Sequence, residues 1–143
     1  MTDLIPFSQD VARAFDEIKV LLQLPAELHY NLTVCSAPSE DFPEGVAECR
    51  LDHAYPVVEI RVFAPMVPDG ETLWYSLLHE GLHIVSREVD HVAGLLRVGD
   101  PHEPLAVYLD QANERQITRV QYILTAALPV PEWLVSKSYG DAP

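Results

Sequence analysis

Residues 79–83 read His-Glu-Gly-Leu-His, and two histidines four positions apart are the residues of this chain best placed to do chemistry. An α-helix turns about every 3.6 residues, so side chains at i and i+4 stand one above the other on the same face. His79 and His83 can therefore each offer a ring nitrogen to one cation, at the roughly 2.0–2.1 Å of a zinc–imidazole bond. Glu80 lies beside that face, where its carboxylate can take a proton from the water such a cation activates. The competing reading is a pair of ordinary core histidines with a surface glutamate.

A helix has to hold this pentapeptide, and Thr72 to Arg87 reads as one, with Asp69 as its N-cap. Leu73, Leu77 and Ile84 line one side, flanked by Trp74, Leu78, Leu82 and Val85, so most of this helix is expected to be buried. Burying His79, Glu80 and His83 without partners would cost on the order of several kcal/mol, a physical reason to look for a ligand. Gly81 weakens a helix interior by about 1 kcal/mol relative to alanine. Its missing side chain predicts close approach by another segment.

A catalytic zinc takes three protein ligands and leaves a further position open. A third histidine six residues beyond the second, with a glycine midway, is one known arrangement; here Val89 and Ser86 stand at those positions. Farther on, Pro104 to Leu128 reads as a long helix that Pro104 opens and Pro129 ends. On it Asp110 and Glu114 share a face at i, i+4, a like-charge spacing that costs a few tenths of a kcal/mol and that a nearby cation reverses. An exposed acidic face paired with Arg115 and Arg119 is the competing reading.

With HExxH at 79–83 and a following helix bearing Glu114, the chain resembles a zincin-like metallopeptidase of the gluzincin type. It is similar to the small, mostly uncharacterised members in prokaryotic and phage genomes, over roughly residues 57 to 128. The resemblance implies a small α+β zincin-like domain. Its parts would be an N-terminal helix, a three-stranded, mostly antiparallel sheet, the HExxH helix and a glutamate-bearing helix. It implies Zn²⁺ as cofactor with His79, His83 and Glu114 as ligands, and Glu80 as general base. The reaction implied is zinc-dependent hydrolysis of a peptide bond in a peptide or protein substrate. The strand before the motif helix, residues 57–63, would be a sheet edge above the metal along which extended substrate pairs. The Ala112-Asn113 stretch is also similar to phage-repressor-cleaving peptidases, whose final helix carries a glutamate before Ala-Asn. Asp110 and Gln111 stand in that region, so Asp110 is the alternative third ligand or a partner of Glu114. The alternative function is a non-catalytic zinc-binding or protein-interaction domain that keeps the fold.

Upstream, Ser8 is expected to cap a helix over about residues 9–23, with Val11, Phe15, Ile18 and Leu22 as its apolar stripe and Pro25 beyond its end. Residues 28–35, 46–52 and 57–63 read as strands. In the third, Val58, Ile60 and Val62 alternate with Glu59 and Arg61. The segment from Glu88 to Glu103 reads as a connection between the two site helices. Its Asp90, His91, Asp100 and His102, with Tyr108 and Tyr122 beyond, are candidates for an extra ligand or an oxyanion donor. His29 and His53 have no motif around them.

The 143 residues suit one domain, 1–143, and carry a net charge of −13 with nine Lys and Arg, too few for the basic patch that nucleic acid or an anionic membrane needs. No apolar run approaches membrane-spanning length, and Met1 to Pro6 lacks the basic and apolar regions of a signal peptide. A cytoplasmic protein is expected, with Cys35 and Cys49 as buried apolar thiols.

Overall fold

The computed structural model describes residues 3–52, 56–100 and 102–140. Helix α1 (Leu4–Leu21) starts upstream of the expected Ser8 cap, because the Asp3 carboxylate accepts the Ile5 N–H at 3.2 Å and takes the capping role. Pro6 falls within its first turn, where a missing N–H breaks no helical bond. Phe7, Val11, Ala14, Phe15 and Ile18 form its buried face, the stripe expected from the sequence.

Strands β1 (His29–Cys35), β2 (Ala47–Asp52) and β3 (Val57–Phe63) fall where their alternation places them. His53 lies outside the described residues. The sheet order is β1-β3-β2, with β3 parallel to β1 and antiparallel to β2. Two expectations are corrected here. The sheet is mixed instead of mostly antiparallel, and residues 57–63 form its central strand instead of an edge. Val58, Ile60 and Val62 are buried while Glu59 and Arg61 are half-exposed. That alternation reports a sheet covered on one face and carries no information about which strands lie alongside. Cys35 and Cys49 are half-buried, on β1 and β2 with β3 between them.

A 3-10 turn at Ala64–Met66 leads to α2 (Gly70–Val85), capped as the sequence predicts by Asp69, whose Oδ1 accepts the Thr72 N–H at 2.7 Å. Leu73, Leu77 and Ile84 pack with Phe7, Ile18 and Ile60 in the core. A Cβ on Gly81 would lie 2.8 Å from Leu22 Cδ1 and 3.1 Å from Ile18 Cγ2, so α1 is the segment that approaches there. The chain breaks at Ser86 and continues as α3 (Arg87–Leu96), a helix inside the stretch expected to be a connection. Its Val89, Ala93 and Leu96 turn inward at i, i+4 and i+7, while Val92 and Leu95 are exposed. Helix α4 (Pro104–Ala127) has its expected bounds and packs against both α3 and α2. No helix among the described residues is long and apolar enough to cross a membrane.

The short α5 (Glu132–Val135) and the residues after it tie α1 to the start of α2. The Gly70 N–H donates to the Lys137 carbonyl at 3.0 Å, and the Tyr139 N–H donates to the Pro68 carbonyl at 2.8 Å. Tyr139 Oη donates to Asp10 at 2.8 Å, and Trp133 Nε1 to Glu17 at 2.9 Å. A Cβ on Gly70 would fall 2.0 Å from the Leu134 carbonyl oxygen, backbone against backbone. Gly70→Ala is therefore expected to destabilise the fold by about 1–3 kcal/mol or more, lowering the thermal midpoint by about 4 °C or more. An unchanged midpoint would show that the tail does not press on this helix.

Candidate metal centre

Helix α2 supplies His79 and His83 one turn apart, and α4 brings Glu114 across from them. His83 Nε2 is 2.9 Å from Glu114 Oε1, and His79 Nε2 is 3.5 Å from Glu114 Oε2. The two rings are edge to face, 5.0 Å between centroids. One nitrogen from each ring and one carboxylate oxygen all lie within 4.8 Å of one another. Tetrahedral zinc with bonds of about 2.0–2.2 Å keeps its donors roughly 3.3–3.6 Å apart. The cluster brackets that separation, and two imidazoles with a carboxylate are the donor set such an ion takes. The histidine side chains are 26% and 19% exposed, Glu114 53%, so the centre is walled by α2 and open to solvent beside α4.

Glu80 is the one carboxylate buried among the described residues, at 9% exposure. Burial pushes its carboxyl up to about 7 from 4.5; the His83 ring works against this, the Glu114 and Glu48 charges add to it, and a backbone hydrogen bond from Cys49 lowers it again. That last bond locates the sheet relative to the site. β2 is an edge strand, and its Cys49 N–H reaches Glu80 on α2, so the edge beside the centre is β2 and not β3.

Between β2 and the helices runs a groove. Its larger cavity, about 730 Å³, is bounded by Phe42, Gly45 and Leu51 on one side and by His83, Asp110 and Glu114 on the other. A second cavity of about 300 Å³ continues past His79 between Val46, Ser76, Tyr75 and Gln121. Ala47, His79 and Glu80 line both.

Of the two acids sharing a face of α4, Glu114 meets the histidines. Asp110 instead forms an ion pair with the Arg97 guanidinium at the end of α3. Among the other expected candidates, the Asp100 carboxylate accepts the His102 N–H at 2.9 Å outside the cluster, and His91 sits on α3. Tyr108 and Tyr122 are 59% and 72% exposed and line neither cavity, and His29 is exposed on β1. The Asp90 side chain lies outside the described residues. Sequence reading passed over Gln121, whose Oε1 is 3.0 Å from His79 Nδ1. The available signal was its position, two helical turns after Glu114 on the same face. It also passed over Tyr75, whose phenol is pushed up by burial and by its hydrogen bond to Glu71.

No protein-family model matches the chain, and no curated protein or solved structure matches it either. The resemblance to zincins therefore rests on the sequence motif.

A carboxyl that holds its proton more tightly folded than unfolded makes the folded state the larger proton binder between pH 4.5 and about 7. Its contribution is fully present below that window and is lost as the pH rises through about 7. The displacement is worth on the order of 3 kcal/mol at most. In the metal-free protein, Glu80→Gln is thus expected to be more stable than wild type at pH 8, by on the order of 1–3 kcal/mol, with the difference shrinking toward pH 5. Urea denaturation at the two pH values measures it; a variant less stable at pH 8 would show that Glu80 is buried as a paired charge.

Proposed function

We propose that this chain is a zinc-dependent peptidase with a zincin-like fold, hydrolysing a bond in a peptide or protein drawn along β2. The observation that carries the reading is the convergence of His79, His83 and Glu114 from two helices, with the buried carboxyl of Glu80 beside them. His79, His83 and Glu114 would hold the ion, with the exposed side of Glu114 leaving room for water and substrate. Zinc bound there supplies Lewis acidity, polarising a carbonyl and bringing the pKa of water toward about 7.

The chain's own groups do the rest. Glu80 takes the proton of the attacking water and returns it to the departing amine, and burial has already raised its affinity for that proton. By strand alternation, Ala47 and Leu51 turn their main-chain groups the same way as Cys49, toward the groove, where an extended peptide can pair with them. A net charge of −13 makes nucleic acid or anionic lipid an unsuitable partner.

One observation favours a second reading, a non-catalytic domain that keeps the metal centre for structure. Glu80 is already engaged by the Cys49 N–H, which is what a buttress between α2 and β2 would do. Cleavage of a peptide library by zinc-loaded protein separates the two. A peptidase loses about 10²-fold or more of its turnover in Glu80→Gln and keeps its zinc, because the amide cannot accept a proton while the ligands remain. No cleavage by zinc-loaded wild type would leave the structural reading, whereas equal cleavage by both proteins would remove Glu80 from catalysis.

A further inference from the structure

On the side of His79 turned away from Glu114, ring nitrogen Nδ1 lies 3.0 Å from Gln121 Oε1, and Gln121 Nε2 lies 3.3 Å from the Tyr75 carbonyl oxygen. The second contact fixes the first. A main-chain carbonyl can only accept, so the Gln121 amide turns its NH₂ to Tyr75 and its oxygen to His79. An amide oxygen also can only accept, so Nδ1 carries the proton of the bond. In the neutral ring the lone pair is then on Nε2, the nitrogen 3.5 Å from Glu114 Oε2.

We propose that Gln121 is the positioning residue of the centre: it holds His79 with the proton on Nδ1 and presents the Nε2 lone pair, toward Glu114 and His83, to a divalent cation. Its consequence for metal binding rests on the peptidase reading above, whereas the tautomer follows from hydrogen-bond chemistry alone.

Both ends of this clamp come from one face of α4. Glu114, Ile117 and Gln121 recur at intervals of three and four, so the acid reaches Nε2 and the amide reaches Nδ1, with buried Ile117 between them. Tyr75 and His79 are one turn apart on α2, and the Gln121 amide spans that single turn. Turning the amide over would set its oxygen against the Tyr75 carbonyl, and that bond would be lost. A neutral histidine side chain in water favours the proton on Nε2, the nitrogen the cluster needs bare, so a fixed acceptor on the far side of the ring is what reverses that preference. A neutral amide provides one without adding another negative charge to a centre that already faces Glu80 and Glu114.

The test reads the tautomer and the metal separately. Long-range ¹H–¹⁵N correlation spectra of the metal-free protein at pH 8 report which nitrogen of His79 is protonated, and competition with a chromophoric chelator gives zinc affinity. Wild type is expected to show Nδ1–H. Gln121→Met, similar in shape but without the acceptor, is expected to move His79 toward Nε2–H and weaken zinc binding about 10–100-fold. Gln121→Glu, which still accepts from Nδ1–H but cannot donate to the Tyr75 carbonyl, is expected to restore the tautomer and bind zinc more tightly than Gln121→Met. Wild-type His79 protonated on Nε2 overturns the assignment without any variant, as does a folded Gln121→Met whose tautomer and zinc affinity are unchanged. If wild type shows Nδ1–H, Gln121→Met loses it and neither binds zinc, Gln121 still sets the ring and the metal reading is what fails.

Discussion

The structure depends on the way α2 is enclosed. One side of the helix, Leu73, Leu77 and Ile84, is committed to the core with α1 and the sheet. Gly81 brings α1 against it so closely that no side chain larger than hydrogen fits without displacing Leu22. The polar residues of the motif are left the remaining sector, where they can meet only the edge of β2 and the flank of α4. Polar groups in that position are costly without partners. Each has one: Glu80 the Cys49 N–H, His79 the Gln121 amide and Glu114, His83 the Glu114 carboxylate.

Charge around the groove is arranged in the same sense. Asp110 is matched by Arg97, and Glu48 lies 3.4 Å from Arg61 and 3.5 Å from Arg50. Subtracting those pairs leaves Glu80 and Glu114 as the acids turned toward the two histidines. Glu114 raises the Glu80 carboxyl, as like charges in a confined site do. A divalent cation reverses the sign of that interaction, so two acids that disfavour each other alone become a matched set around it. The physical case for a metal is this reversal, together with the donor geometry.

The periodic parts of the fold were legible in the sequence. The α2 and α4 bounds follow from Asp69, Pro104 and Pro129 with apolar spacing between, and the strands from their alternation. Sheet order was not legible, because pairing β1 with β3 across the intervening β2 is decided by tertiary packing that a two-residue period does not encode. Helix α3 was missed although Val89, Ala93 and Leu96 form an inward stripe, because the stripe is short and Val92 and Leu95 beside it stay exposed. In the candidate site, the i, i+4 spacing of His79 and His83 was sufficient to place them on one face of α2. Asp110 and Glu114 were equivalent by helical phase, and the difference came from Arg97 on the unrecognised α3. Gln121 escaped because an uncharged amide has no titration or ligand signature, and its role exists only in contact with His79 and Tyr75.

The central claim is a three-ligand zinc centre built by α2 and α4, and metal content tests it most directly. Plasma mass spectrometry on protein purified without a metal-affinity tag should find about one zinc per chain in wild type and in Asp110→Ala, and none in Glu114→Ala. Wild-type protein that holds no zinc, even after zinc is added back and excess removed, would contradict it and leave the His79, His83 and Glu114 cluster as an ion-paired patch between two helices.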